Sequence, residues 1–313
     1  MRVVSAAEVH GALDFPALIE ALAATFKAGA EVPLRRHHEI AVPGAPPATL
    51  LLMPAWQPGH ALGIKIVTVF PGNAAKSLPA VMGQYVLLDA TSGAPKAMID
   101  GTALTLRRTA AASALASRFL SRADAAHLLM VGTGALAPHL IAAHCTVRPI
   151  RRVSIWGRNA GHAYATAGKL ALPGVSVAAV PSIESAVAEA DIVSCATLAT
   201  SPLVHGQWLR AGQHLDLVGG FTPAMREADD EAVRRAAVYI DTRGGAMKEA
   251  GDIVQPLASG ALTAAAIKGD LFDLCRGAVQ GRTDPSAITL FKSVGTALED
   301  LAAAKLVAER LGA

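Results

Sequence analysis

The run LLMVGTGALA ends an apolar stretch in Gly132-x-Gly134-x-x-Ala137 and is followed by PHLIAAH, a segment with helical spacing. Glycines at this spacing, between a strand and a helix, suit the pyrophosphate of a dinucleotide. Gly132 permits the tight turn, Gly134 lets a phosphate approach the backbone, and Ala137 lets the helix lie close to the strand. The helix N-terminus adds free N–H groups and a partial positive charge. On this reading Gly132, Thr133, Gly134, Ala135 and Ala137 form the turn that holds a nicotinamide or flavin dinucleotide. In NAD-binding domains an acidic residue commonly ends the second strand and accepts the ribose 2′-OH. Here that strand ends Trp156-Gly157-Arg158-Asn159, with no acid. An arginine there pairs with a 2′-phosphate, so NADP(H) is expected over NAD(H), with Arg158 and Asn159 at the cofactor. The plain alternative for Arg158 is a solvated loop residue.

Basic residues in the N-terminal third form a second group. Lys65 lies in GIKIVTVF, where both faces of a strand would be apolar: Val67 and Val69 on its own side, Ile64, Ile66 and Phe70 on the other. Lysine is rarely buried without a partner; the alternatives are an enclosed, functional position or an edge strand from which it snorkels to water. Arg108 starts a small, apolar helix in LRRTAAASA, and Arg35 and Arg36 follow Pro33-Leu34. The adjoining His37 and His38 read as exposed loop, because no further ligand falls at metal spacing. Arginines and a lysine facing a nicotinamide would clamp a substrate carboxylate.

These residues need elements to hold them. From about 127 to 243, strand and helix patterns alternate, which indicates a parallel α/β sheet. The strands are expected at 127–132, 152–157, 175–180, 191–197, 214–219 and 238–243. Helices are expected in PHLIAAHC, GHAYATAGKLA, SIESAVAEA and READDEAVRRAA, with Ser182 capping the third. Residues 1–118 read differently. An amphipathic helix, FPALIEALAATFKAGA, is followed by extended segments ATLLLMPAW, GIKIVTVF, QYVLLDATSG and APKAMIDG, a largely antiparallel α+β pattern. RRTAAASALASRFLSR is a helix leading onward, and TLFKSVGTALEDLAAAKLVAERL reads as one long final helix that returns to the first domain. The fold class is therefore α/β: a Rossmann dinucleotide-binding domain over 119–293 and a discontinuous α+β substrate and dimerisation domain over 1–118 and 294–313.

Composition sets limits. The 313 residues are 52% hydrophobic and 17% charged with a net charge of +3, which supplies a large core and argues against disorder and nucleic-acid binding. Cys145, Cys195 and Cys275 show no ligand spacing and read as buried thiols in a reducing, cytoplasmic setting. MRVVSAAEVH does not read as a signal peptide. No apolar run is long enough to span a membrane, and no metal site is expected.

Several long motifs in the right order give the chain a specific resemblance to the ornithine cyclodeaminase/mu-crystallin family over nearly its whole length: VPLRR, GIKIVTVFPGN, LLDATSGAPKAMIDGTALTLRRTAAASA, VGTGALA, WGRN, DIVSCATLATSPLV, DLVGGFTP and LFKSVGTALED. The resemblance implies a homodimer formed through the first domain and a substrate site in the cleft between the domains. It implies a carboxylate pocket built from Arg35, Lys65 and Arg108. It also implies that the loops around Thr197, Leu198 and Ala199, and around Val294 and Gly295, border the cofactor. One segment departs from the cyclodeaminase pattern. Where those enzymes carry an acid after the paired glycines, this chain has Gly219-Gly220-Phe221. Phenylalanine cannot hold an amino group or activate water, and members without the acid resemble imine reductases or amino-acid dehydrogenases.

The resulting expectation is NAD(P)H-dependent reduction of a cyclic ketimine carboxylate, Δ1-pyrroline-2-carboxylate or Δ1-piperideine-2-carboxylate. Lys65 assists the proton if enclosure lowers its pKa. The alternatives are ornithine cyclodeamination, an alanine-type dehydrogenase, and a ligand store without important turnover. Lys65→Met and Arg108→Ala are each expected to cripple turnover without unfolding the chain.

Overall fold

The computed structural model describes residues 1–312. It divides into two compact units: Met1–Thr109 with Thr296–Ala313, and Ala110–Gly295. The boundary falls earlier than the sequence suggests, inside a single helix, because that helix is continuous from residue 101 to 120 and carries no break at 118.

Unit 1 contains β1 (Arg2–Val4), α1 (Ala6–Ala12), α2 (Phe15–Ala28), β2 (Arg36–Ile40), β3 (Ala48–Gln57), β4 (Ala61–Val69), β5 (Val81–Leu88) and β6 (Pro95–Asp100). It also holds the first half of α3 (Gly101–Leu120). Local chemistry sets these helices: Ser5 and Glu8 form a reciprocal capping box at α1, and the Asp14 side chain caps α2. The six strands run in the order β1-β6-β5-β4-β3-β2, antiparallel except for the β1–β6 pair. Lys65 therefore lies on an interior strand, which removes the edge-strand alternative. His37 and His38 lie on strand β2 rather than in a loop, and both are exposed.

Cross-strand register sorts the sheet into two faces. Val4, Ile99, Tyr85, Lys65 and Met53 are successive partners in one row and all are buried. The neighbouring row, Val3, Met98, Val86, Ile64 and Pro54, points the other way and is partly or fully exposed. The first face is covered by α11 (Ala297–Leu311), which packs on β3, β4, β5 and α2.

Unit 2 is built from β7 (His127–Val131), α4 (Ala137–Val147), β8 (Arg152–Trp156), α5 (Ala160–Lys169), β9 (Ser176–Ala179), α6 (Ile183–Glu189) and β10 (Ile192–Cys195). It continues with β11 (His214–Leu217), α7 (Asp230–Arg235), β12 (Ala236–Ile240), α8 (Arg243–Glu249), α9 (Gly251–Ser259), β13 (Gly269–Asp270), α10 (Leu271–Arg276) and β14 (Ile288–Lys292). All eight strands are parallel, in the order β13-β12-β14-β11-β10-β7-β8-β9. β7, β10, β11 and β14 are buried along their full length, as expected of a parallel sheet covered on both faces. The strand order reverses between β7 and β10, the switch point at which doubly wound sheets bind ligands.

The final helix differs from expectation. Ile288–Lys292 is not helical but an interior strand between β11 and β12. Gly295, at φ 79°, and Thr296, which caps the helix, then delay α11 until Ala297. Hydrophobic periodicity alone does not separate a short buried strand from a helical turn. READDEAVRRAA likewise yields only the short helix Asp230–Arg235, with its last two residues already in β12. Cys145 and Cys275 are half-buried rather than buried. Among the described residues no single helix is long and apolar enough to cross a membrane.

Candidate functional site

In unit 1 the basic residues meet two acids that sequence reasoning did not single out. Lys65 Nζ lies 2.6 Å from Asp300 Oδ2. Arg108 donates from Nε to Asp300 Oδ1 at 2.9 Å and from Nη1 to Glu299 Oε2 at 2.6 Å. Asp300 thus bridges lysine and arginine. All four side chains are buried, with Lys65 only 2% and Arg108 only 6% exposed. Arg35, half-buried just before β2, acts electrostatically on both Lys65 and Asp300. Arg36 is exposed on the edge strand. Glu299 and Asp300 fall in the first turn of α11, where carboxylates also complement the helix dipole. In the sequence they read as ordinary first-turn acids of an alanine-rich helix, and nothing there pairs them with Lys65 or Arg108.

Burial pushes the Lys65 ammonium down to about 8, aided by the Arg108 charge and opposed by Asp300. Burial works against the charge on Asp300 too, but Arg108 and Lys65 outweigh it and lower its pKa. Arg108, disfavoured by burial, is raised overall by Asp300 and Glu299. The carboxylate therefore stays ionised, and Lys65 is the member of the cluster that yields its proton first. Tyr85, the cross-strand partner of Lys65, turns its ring over Gly63, where any Cβ would overlap the phenol. Its fully buried hydroxyl has no hydrogen-bond partner, and burial next to Asp300 raises its pKa well above the usual range.

In unit 2 the glycine-rich turn has the geometry a dinucleotide requires. Gly132 adopts φ 121°, and a Cβ there would sit 2.5 Å from the Ala196 carbonyl oxygen. The turn after β7 is thus pressed against the loop after β10 at the switch point. Gly134 faces open space and Ala135 is exposed, while Ala137 is buried where α4 meets the sheet. No side chain caps α4, so its first-turn N–H groups have no side-chain acceptor, an arrangement that suits an anion. Thr133 touches the next loop, for a Cβ on Gly157 would meet Thr133 Cγ2 at 2.8 Å. These features fit a dinucleotide.

Other expected cofactor residues are committed internally. Asn159 spends its side chain capping α5. Thr197 donates its N–H and hydroxyl to Glu227. Val294 and Gly295 both donate their N–H groups to Asp241 Oδ2 at 2.7 Å. Arg158, by contrast, is exposed at the end of β8 and makes no ion pair among the described residues. Leu198 and Phe221 project from the loops after β10 and β11 at 69% and 47% exposure. No cluster of three metal-ligating side chains occurs among the described residues.

A parallel sheet with a glycine turn at its switch point, and a second unit holding buried cations, define a two-unit dinucleotide-binding protein. The chain belongs to the ornithine cyclodeaminase/mu-crystallin family, whose model matches residues 1–313. It is 39% identical to the Δ1-pyrroline-2-carboxylate reductase of Colwellia psychrerythraea over 315 residues, covering 99% of each chain. Among solved structures it resembles the Δ1-pyrroline-2-carboxylate reductase of Thermococcus litoralis in complex with NADH and L-proline. That match has a TM-score of 0.92 and 34% identity, covering 99% of this chain and 97% of that one. It also resembles an archaeal alanine dehydrogenase dimer with bound NAD, at TM-score 0.90 and 26% identity, covering 99% and 95%.

The geometry revises the expectation that both basic residues can be removed without structural cost. Arg108→Ala takes the guanidinium from Glu299 and Asp300 together, and breaking such a buried pair costs about 3–5 kcal/mol. Lys65→Met leaves Asp300 with Arg108 and should cost less. Urea unfolding of the two variants checks this order; an Arg108→Ala protein as stable as the parent would contradict the ion-pair assignment.

Proposed function

We propose that the protein is an NAD(P)H-dependent reductase of cyclic ketimine carboxylates, converting Δ1-pyrroline-2-carboxylate or Δ1-piperideine-2-carboxylate to L-proline or L-pipecolate. This reading is carried by the near-full-length match to two Δ1-pyrroline-2-carboxylate reductases, together with the buried cations Lys65 and Arg108 of unit 1. Three cations, Arg35, Lys65 and Arg108, stand against two carboxylates, Glu299 and Asp300. Cations gathered at one place on this sheet suit a substrate that brings a carboxylate of its own. Both reductase relatives support the same substrate class.

On this reading Arg35, Lys65 and Arg108 hold the carboxylate and so fix the ring. A reduced nicotinamide supplies the hydride to the ring carbon of the C=N bond. Where the imine nitrogen carries its proton on arrival, its positive charge disappears as the new C–H bond forms and no strong protein acid is needed. Lys65 is the catalytic residue, supplying the proton to an imine that reaches the site unprotonated. Phe221 stands where cyclodeaminases carry an acid, and expulsion of ammonia from ornithine lacks the group it needs.

Lys65 is charged below about pH 8 and neutral above it. Purified protein should oxidise NADPH when given a cyclic ketimine carboxylate, with kcat/KM falling as pH rises through about 8. Ammonia release from L-ornithine and turnover of pyruvate with ammonia should both be slow. Faster reaction with either would overturn the assignment.

Within the cofactor class, we propose NADP(H) over NAD(H). Gly132, Thr133, Gly134, Ala135 and Ala137 form the pyrophosphate turn, Asn159 and the loops at Thr197, Leu198, Ala199, Val294 and Gly295 line the cofactor, and the exposed Arg158 meets the 2′-phosphate. Replacing Arg158 with alanine should raise KM for NADPH about tenfold or more, the worth of a charge-assisted bond, and leave KM for NADH nearly unchanged. A parent enzyme that prefers NADH would refute it.

A homodimer through unit 1 completes the proposal. The sheet row opposite to that facing α11 carries exposed Val3 and half-buried Pro54, Ile64, Val86 and Met98, and apolar patches of this kind mark protein interfaces. Light scattering should report twice the chain mass, and Ile64→Arg should halve it; a monomeric parent would remove the dimer.

A further inference from the structure

We infer that the buried residues Glu227, Asp252 and Lys292 form a positioning device that clamps the loop after β10 to the turn after β11 and so shapes the dinucleotide edge of unit 2. The inference rests on the cofactor reading above. Glu227 is fully buried, and its two carboxylate oxygens serve both segments. Oε1 accepts from the Thr197 N–H at 2.7 Å and the Thr197 hydroxyl at 2.8 Å, and Oε2 accepts from the Gly219 N–H at 2.8 Å. A second carboxylate holds the first in place: Asp252 Oδ1, from α9, accepts the N–H groups of Glu227 at 2.8 Å and Ala228 at 3.1 Å. Lys292, at the end of β14, stands behind both, its Nζ 3.2 Å from Asp252 Oδ2.

The turn is built around this group. A Cβ on Gly220 would lie 2.6 Å from Asp252 Oδ2 and 3.3 Å from Lys292 Nζ, so only glycine lets the chain pass over the charges. The Arg226 N–H donates to the Ala199 carbonyl at 2.7 Å, tying the strand of chain that carries Glu227 to the same loop. Thr197 in turn packs on Gly132 of the pyrophosphate turn. Three donors converging on one side chain require an acceptor with two oxygens, and an amide would turn a donor toward one of them. No atom of the triad needs to touch the nucleotide.

Burial pushes the Glu227 carboxyl up to about 7, with Asp252 adding to the rise and Lys292 and the Thr197 bonds opposing it. Asp252, Lys292 and the Cys195 thiol of β10 are the titratable groups around it, and burial keeps that thiol neutral. Because its pKa is raised, Glu227 loses its ionised form as pH falls through about 7. Protonated, it directs a donor into a ring of donors, and the clamp loosens.

The test is direct binding, without imine substrate. NADH, which has no 2′-phosphate to titrate, is followed by fluorescence between pH 6 and 8.5, with NADPH in parallel. The parent should bind more weakly on the acid side of about pH 7. Glu227→Gln should bind about tenfold more weakly at pH 8, the effect of one unmet buried donor, and lose the acid limb. Thr197→Val, which removes a single hydroxyl donor and keeps the acid, should weaken binding several-fold and move the midpoint to higher pH. Its result decides the matter if Glu227→Gln does not fold. Binding by Glu227→Gln equal to the parent at every pH, or an unmoved midpoint in Thr197→Val, would overturn the device while leaving the reductase reading intact. A parent that binds neither nucleotide would bring both down.

Discussion

Unit 1 is organised by the cost of burying charge. A lysine, an arginine and two carboxylates lie in the contact between a sheet and its covering helix, where an isolated ion would be untenable. Asp300 resolves this by facing Lys65 with one oxygen and Arg108 with the other, while Glu299 takes the remaining arm of the guanidinium. The arrangement fixes the sheet register at β4, the start of α11 and the first turns of α3 relative to one another. It also fixes the electrostatics. Asp300 stays ionised between two cations, while burial lowers the pKa of Lys65.

Unit 2 uses carboxylates for a different task. Glu227, Asp241 and Asp252 are all fully buried and all accept backbone N–H groups from the loops that follow parallel strands. Asp216 in the middle of β11 does the same for side chains, accepting from the hydroxyls of Ser113 and Ser194. Loops at the carboxyl edge of a parallel sheet carry donors that no neighbouring strand can satisfy. Meeting them with buried acids leaves the loops ordered, while the N-terminus of α4 carries no side-chain cap.

Much of this architecture was legible in the sequence. Six strands of the parallel sheet, the glycine turn and the four central strands of unit 1 follow from periodicity and turn residues. Lys65 stood out because both faces of its strand were apolar, and it is indeed buried. What sequence could not supply was partnership across long separations. Asp300 lies far along the chain from Lys65 and looks like a helix-start acid until the fold brings the two together. Lys292 was hidden by a wrong period: TLFK continues a helical pattern on paper, and only the pairing of β14 with β11 and β12 makes it a strand. Glu227 and Asp252 sat in a polar stretch whose acids gave no sign of burial, because an acid that serves backbone donors has no spacing signature.

On the proposed function, Arg35, Lys65 and Arg108 take the carboxylate of the substrate. Calorimetric titration of the nucleotide-loaded protein with a planar five-membered ring carboxylate, and with its uncharged carboxamide, tests it directly. The carboxylate should bind at least about tenfold more tightly than the amide. Protons should be taken up on binding near and above pH 8, as the incoming charge returns a proton to Lys65. Equal affinity for the two ligands, with no proton uptake, would contradict it.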